Sequence, residues 1–160
     1  MAKKSKYSDS GEVIYFVSNN ERTLPSHETI QKEIEEYIPS NYRIVYHHAE
    51  CERLLEEVQI YYNIEHDGYN RYKIYLRYNV KPGPLGWIIM IAGLIIGVFI
   101  GYSFLAEIGV FLGGIVGGIF VGTLFEKSSK GQKEAPEICE RIATGIKEYE
   151  RAHLLSISTR

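Results

Sequence analysis

Between Pro82 and Glu126 the chain has no lysine or arginine, and from Leu85 to Phe125 Glu107 is its only charged side chain. So long an uncharged apolar stretch is foreign to the surface of a water-soluble fold. Positive charge is not in surplus either: 18 Lys and Arg against 20 Asp and Glu leave a formal net charge of -2, which argues against a general nucleic-acid binder. The two cysteines, Cys51 and Cys139, fall in different segments without a regular framework, so reduced thiols are expected. No apolar run follows the basic start Met1–Lys6. The polar residues Tyr7–Glu12 come instead, which predicts no cleaved signal segment and a frayed tail up to about Ser10.

What the chain does have is apolar length. A helix rises about 1.5 Å per residue, so a hydrocarbon core of about 30 Å takes roughly 20 apolar residues, and Leu85–Phe125 is about twice that. One span would overshoot the bilayer, whereas two antiparallel spans fit if the chain reverses near its middle. Polarity rises over Tyr102–Glu107, which places the spans at 85–103 and 108–126. Arg71, Lys73, Arg77 and Lys81 precede the block and Lys127, Lys130 and Lys133 follow it, while the reversal has no basic residue. Retention of basic flanks predicts both termini on the cytoplasmic side and Glu107 at the far surface. Trp87 and Tyr102 suit the two interfaces, and Lys73, Arg77, Lys81, Trp87 and Lys127 are the candidates for lipid headgroup contact.

Glycine is unusually concentrated in this block. Gly86, Gly93, Gly97 and Gly101 recur at spacings of four and seven, which puts them on one face of the first span. The second span carries two rows, Gly109/Gly113/Gly117 and Gly114/Gly118/Gly122. Glycine costs about 1 kcal/mol relative to alanine in a water-exposed helix, whereas inside lipid it permits close backbone approach with van der Waals and Cα–H···O contacts. One row is expected to lock the hairpin and the other to pack against a second copy. In this packing motif alone, without naming a family, the pattern resembles the glycine-zipper hairpins of various envelope and pore proteins.

The polar remainder alternates strand and helix signals. Glu12–Val17 and Tyr42–His48 read as strands; Val58–Ile64 and Tyr72–Val80 alternate apolar and polar residues around an Asp67-Gly68 hairpin signal. The segment Glu50–Glu57 reads either as a helical turn or as an early start to the third of these strands, with the second preferred. Ser26 is the expected N-cap of a helix over 27–38 with a stripe of Ile30, Ile34 and Tyr37/Ile38, and Pro39 ends it. After a short polar linker over 128–132, Ile138, Ile142, Ile146 and Tyr149 form the stripe of a second amphipathic helix from Glu134 to about Leu155. The prediction is a two-layer α+β domain over 11–82 plus 133–156, with four strands and two helices, and a transmembrane hairpin over 85–126 inserted between the last strand and the last helix. The prolines around Gly83 make the passage into the hairpin short and stiff.

Chemical signatures are sparse. His47, His48 and Cys51, with His27, His66 and Asp67 elsewhere, come nearest to a metal set, but adjacent strand residues point to opposite faces and the spacing departs from zinc patterns. Cys51 beside His48 is no stronger as a nucleophile and base, since sequence neighbours are not thereby spatial neighbours. The run Gly122–Ser128 has Glu126 where a phosphate loop needs glycine before its lysine. Lys73, Tyr75 and Arg77 share a strand face, with Tyr61 expected across the ladder, and are read as a solvated or lipid-attracted face rather than a single-strand nucleic-acid platform. Glu107 invites comparison with the proton-carrying hairpins of rotary ATPase rings, whose carboxylate lies near mid-membrane rather than in the turn.

The expectation is therefore a non-enzymatic, homo-oligomeric membrane protein without a cofactor, whose cytoplasmic domain binds a protein partner or builds a scaffold. A small pore with Glu107 at its outer mouth is the second reading, and an enzyme at the membrane surface the third.

Overall fold

The computed structural model describes residues 11–19, 23–68 and 70–158. The expected frayed tail, residues 1–10, lies outside them. The chain runs β1 (Glu12–Val17), α1 (His27–Glu36), β2 (Arg43–Val45), β3 (His48–Glu52), β4 (Glu56–His66), β5 (Arg71–Pro82), α2 (Pro84–Ser128) and α3 (Gly131–Ser158). The strands form one sheet in the order β1-β5-β4-β3-β2, with β1 antiparallel to β5 and β2 antiparallel to β3. The α+β class agrees with the sequence pattern. The strand number does not: among the described residues there are five strands, not four.

Two features account for the difference. The expected strand over 42–48 breaks at Tyr46, whose φ of 54° lies in the left-handed region, and the chain turns back into β3. An aromatic residue rarely adopts that conformation. Here the reversal is held by β4, because the Tyr62 hydroxyl donates to the Tyr46 carbonyl at 3.0 Å and the Tyr62 N–H donates to the His47 carbonyl at 3.0 Å. Likewise Glu50–Glu57 is not an early start to one strand. Ala49 and Cys51 point inward from β3, and β4 begins only at Glu56 after a tight loop.

The chain divides into two compact units: residues 11–51, Gln59–Asn79 and 135–158 in the first, Glu52–Val58 and Val80–Glu134 in the second. In the first, Ile14 and Phe16 of β1, Ile60 and Tyr62 of β4, and Ile74 and Leu76 of β5 fill one face of the sheet together with Ile30 and Ile34 of α1 and Ile138, Ile142 and Ile146 of α3. Ser26 caps α1 by accepting from the Thr29 N–H at 3.2 Å, and the helix ends at Glu36 with Tyr37 as its C-cap. The rings of Tyr149 and His153 on α3 pack against Phe16, and Glu150 accepts a hydrogen bond from the Val17 N–H at 2.9 Å. The Asp67-Gly68 turn forms as the sequence indicates, with Gly68 at φ 87° and the Asp67 N–H donating to the Arg71 carbonyl.

The second unit is dominated by α2. It is helical from Pro84 to Ser128, yet folds back on itself, so that two arms, Pro84–Phe104 and Glu107–Phe125, lie side by side. Both are long and apolar enough to cross a membrane, and only 6% of each arm's most apolar stretch is buried within the chain. The core helix of a soluble protein would be mostly buried.

Candidate functional site

The arms meet along their glycines. A β-carbon on Gly97 would collide with the Gly113 carbonyl and lie 3.0 Å from the Gly117 Cα; one on Gly101 would strike the Gly109 carbonyl and lie 2.9 Å from the Gly113 Cα. A β-carbon on Gly117 would lie 2.9 Å from the Gly93 carbonyl oxygen, and one on Gly93 would collide with the Val121 side chain. Gly93/Gly97/Gly101 and Gly109/Gly113/Gly117 therefore face each other along one seam, in which a side chain at Gly97, Gly101 or Gly113 would collide with backbone. The third row faces away. A β-carbon on Gly114 would meet only Val98, at 3.3 Å, and on Gly118 or Gly122 nothing within 4 Å. Glu107 is exposed at the start of the second arm.

At the polar end of the arms the loop Arg53–Leu55 is fastened to the first helical turn. The Leu54 carbonyl accepts from the Leu85 N–H and the Leu55 carbonyl from the Gly83 N–H, each at 2.8 Å, which satisfies donors that a helix start leaves open. The approach is close enough to require glycine: a β-carbon on Gly83 would fall 2.8 Å from the Glu56 nitrogen, and one on Gly86 would strike the Leu55 carbonyl. Prolines on either side of Gly83 hold this backbone extended and then open the helix. A groove of about 470 Å³ lies between the loop and the arms, its apolar wall including Leu54, Leu55, Met90, Val121 and Phe125.

Glu56 organises the return from the second arm. Only 4% exposed, its carboxylate accepts from the Ser129 hydroxyl at 2.5 Å and the Gly131 N–H at 2.9 Å, and pairs with Arg53 at 2.9 Å. Arg53 also reaches Glu134 at 2.7 Å, and the Ser129 hydroxyl accepts from the Gln132 N–H at 3.2 Å. These contacts explain why α3 starts at Gly131 rather than at Glu134: the carboxylate supplies the acceptor that a helix N-terminus needs. Burial alone would raise the Glu56 pKa, but the hydrogen bonds from Ser129 and Gly131 and the Arg53 charge outweigh it and hold the carboxyl below its ordinary value.

The remaining candidates are dispersed. In the first unit, Lys73, Tyr75 and Arg77 do share the open sheet face, where the Lys73 ammonium sits 4.7 Å from the Tyr75 ring centroid and β1 places Tyr15 opposite Lys73. In the second, Lys81 and Lys127 are exposed, and Trp87 is 54% exposed on the first arm. His48 faces Glu50 and the Tyr61 ring, His47 the Tyr62 ring, and His66 the Tyr72 ring. Among the described residues no three His, Cys, Asp or Glu side chains are placed to share a metal ion. Burial pushes the Cys139 thiol up to about 11, with the Glu12 charge adding to the shift, which suits an inert thiol rather than a nucleophile.

Sequence reasoning missed the fastened loop and Glu56. The available signals were Gly83 and Gly86 among prolines, and two leucines between Arg53 and Glu56. No family model, no curated protein and no solved structure matches this chain.

Proposed function

We propose that this is a two-span integral membrane protein that acts by binding rather than catalysis. The hairpin crosses the bilayer twice, both termini lie in the cytoplasm, and copies of the chain assemble through the outward glycine row to present their α+β domains as an array for a protein partner. The observation that carries the reading is the division of labour among the glycines. One set of rows is consumed in the hairpin seam, while Gly118 and Gly122 stand open on arms whose phenylalanines, such as Phe99 at 69% and Phe111 at 76%, are exposed. Apolar surface of this extent is at home in lipid, and small residues there allow a neighbouring helix to approach. The open sheet face, with Tyr15, Tyr75, Lys73 and Arg77, is the surface offered to the partner, mixing aromatic area with positive charge. Lys81, Trp87 and Lys127 meet the headgroups of the cytoplasmic leaflet.

Native mass spectrometry in detergent tests the assembly. The wild-type chain should give one defined oligomer, and Gly118→Leu with Gly122→Leu, where nothing lies within 4 Å of an added β-carbon, should reduce it to monomer with the hairpin intact. A wild-type monomer, or an oligomer unchanged by the double substitution, would refute assembly through this row.

A further inference from the structure

We propose a third membrane contact: the loop between β3 and β4 inserts Leu54 and Leu55 into the bilayer interface beside the first arm. The proposal rests on the hairpin being membrane-embedded. Leu54 is 75% and Leu55 50% exposed, which matches the exposed leucines and isoleucines of the first arm, such as Leu85 at 40% and Ile88 at 62%. Neither is free to swing away. The Leu85 and Gly83 N–H groups bind their carbonyls at 2.8 Å, which fixes the loop at the level where the apolar run begins. Trp87, an exposed aromatic of the kind that settles at the headgroup boundary, lies only about 3 Å of helical rise past Leu85.

The chemistry of the loop suits entry into an apolar zone. Unsatisfied backbone polar groups are excluded from lipid. Here the carbonyls of Leu54 and Leu55 accept from the helix start, and that of Glu56 accepts from the Arg53 N–H at 2.8 Å. The charged residues on either side do not burden the tip, since Arg53 and Glu56 pair with each other and Arg53 with Glu134. What the tip presents is two leucines, continuous with the groove wall formed by Met90 and Phe125. The occupant assigned to this surface is the upper part of the phospholipid acyl chains, with Leu54 and Leu55 acting as a wedge that sets the depth of the junction.

Trp87 is the sole tryptophan, so Trp87→Phe supplies a silent background. Into it Leu54→Trp or Ile95→Trp is placed, and each protein is reconstituted in phosphatidylcholine vesicles brominated near the top or near the end of the acyl chains. Ile95→Trp, at the middle of the first arm, should be quenched several-fold more by the deep bromines. Leu54→Trp should emit at short wavelength and be quenched several-fold more by the shallow ones. If Ile95→Trp is quenched while Leu54→Trp is untouched by either lipid, the wedge is refuted and the hairpin stands; short-wavelength emission without quenching would assign the loop to a protein contact instead. If neither site is quenched, both readings fall.

Discussion

Gly113→Leu should force the two arms of α2 apart. A β-carbon at that position already collides with the Gly97 carbonyl and lies 2.9 Å from the Gly101 Cα, and both obstacles are backbone, which cannot rotate aside as a side chain can. Overpacking a tight interior costs about 1–3 kcal/mol, and an isobutyl group wedged between two helix backbones belongs at or above the top of that range. The matched control is Gly122→Leu, since nothing lies within 4 Å of the β-carbon it introduces. Spin labels on Ile88 and Leu124, near the polar ends of the arms, provide the measurement. With the labelled chain diluted into unlabelled chain, so that only the distance within one copy is read, the parent and Gly122→Leu should share one narrow distribution, and Gly113→Leu should broaden and lengthen it. An unchanged distribution in Gly113→Leu would contradict the seam.

Glu56→Ala is the second large effect expected. It strips the Ser129 hydroxyl and Gly131 N–H of their acceptor and removes one of the two carboxylates that Arg53 pairs with, Glu134 being the other. Charged hydrogen bonds of this kind are worth about 1.5–3 kcal/mol each, and removing one partner of a buried ion pair costs up to about 3–5 kcal/mol. A loss of about 2–4 kcal/mol is expected, read as faster amide hydrogen exchange at Gly131 and Gln132. Ser129→Ala should cost about 1 kcal/mol, because the carboxylate keeps its backbone and guanidinium partners. The pH dependence has a defined sign. The folded pKa of Glu56 is lowered from 4.5, so its stabilisation is fully present above that value and is lost as pH falls through the lower folded pKa. Glu56→Gln should flatten this acid limb; an acid limb identical to that of the parent would show that the carboxylate does not hold the junction.

How much of this was legible in the sequence depends on the range of the interactions. Local patterns read well: the alternation of Val58–Ile64 and Tyr72–Val80, the Asp67-Gly68 turn and the Ile138/Ile142/Ile146 stripe each encode their element within a few residues. The Tyr46 reversal did not, because it contains no glycine, asparagine or proline and is imposed by Tyr62 from a neighbouring strand. β3 escaped notice because its inward residues are only Ala49 and Cys51, too small to mark an apolar alternation. The glycine faces follow from periodicity, but which row meets which depends on the rotation of the arms about their axes, and no local rule sets that. Glu56 resembles every other glutamate in the chain. Its partner Ser129 is 73 residues away, and only the fold brings them together.

A two-span hairpin requires Glu107 and Lys133 to lie on opposite sides of a bilayer. Glu107 and Lys133 are exposed, so Glu107→Cys and Lys133→Cys should each offer an accessible thiol, whereas Cys51 and Cys139 are buried. Probed with a membrane-impermeant maleimide, Glu107→Cys should react in intact expressing cells and Lys133→Cys only in inverted membrane vesicles. Reaction of both from the same side would contradict the two-span hairpin.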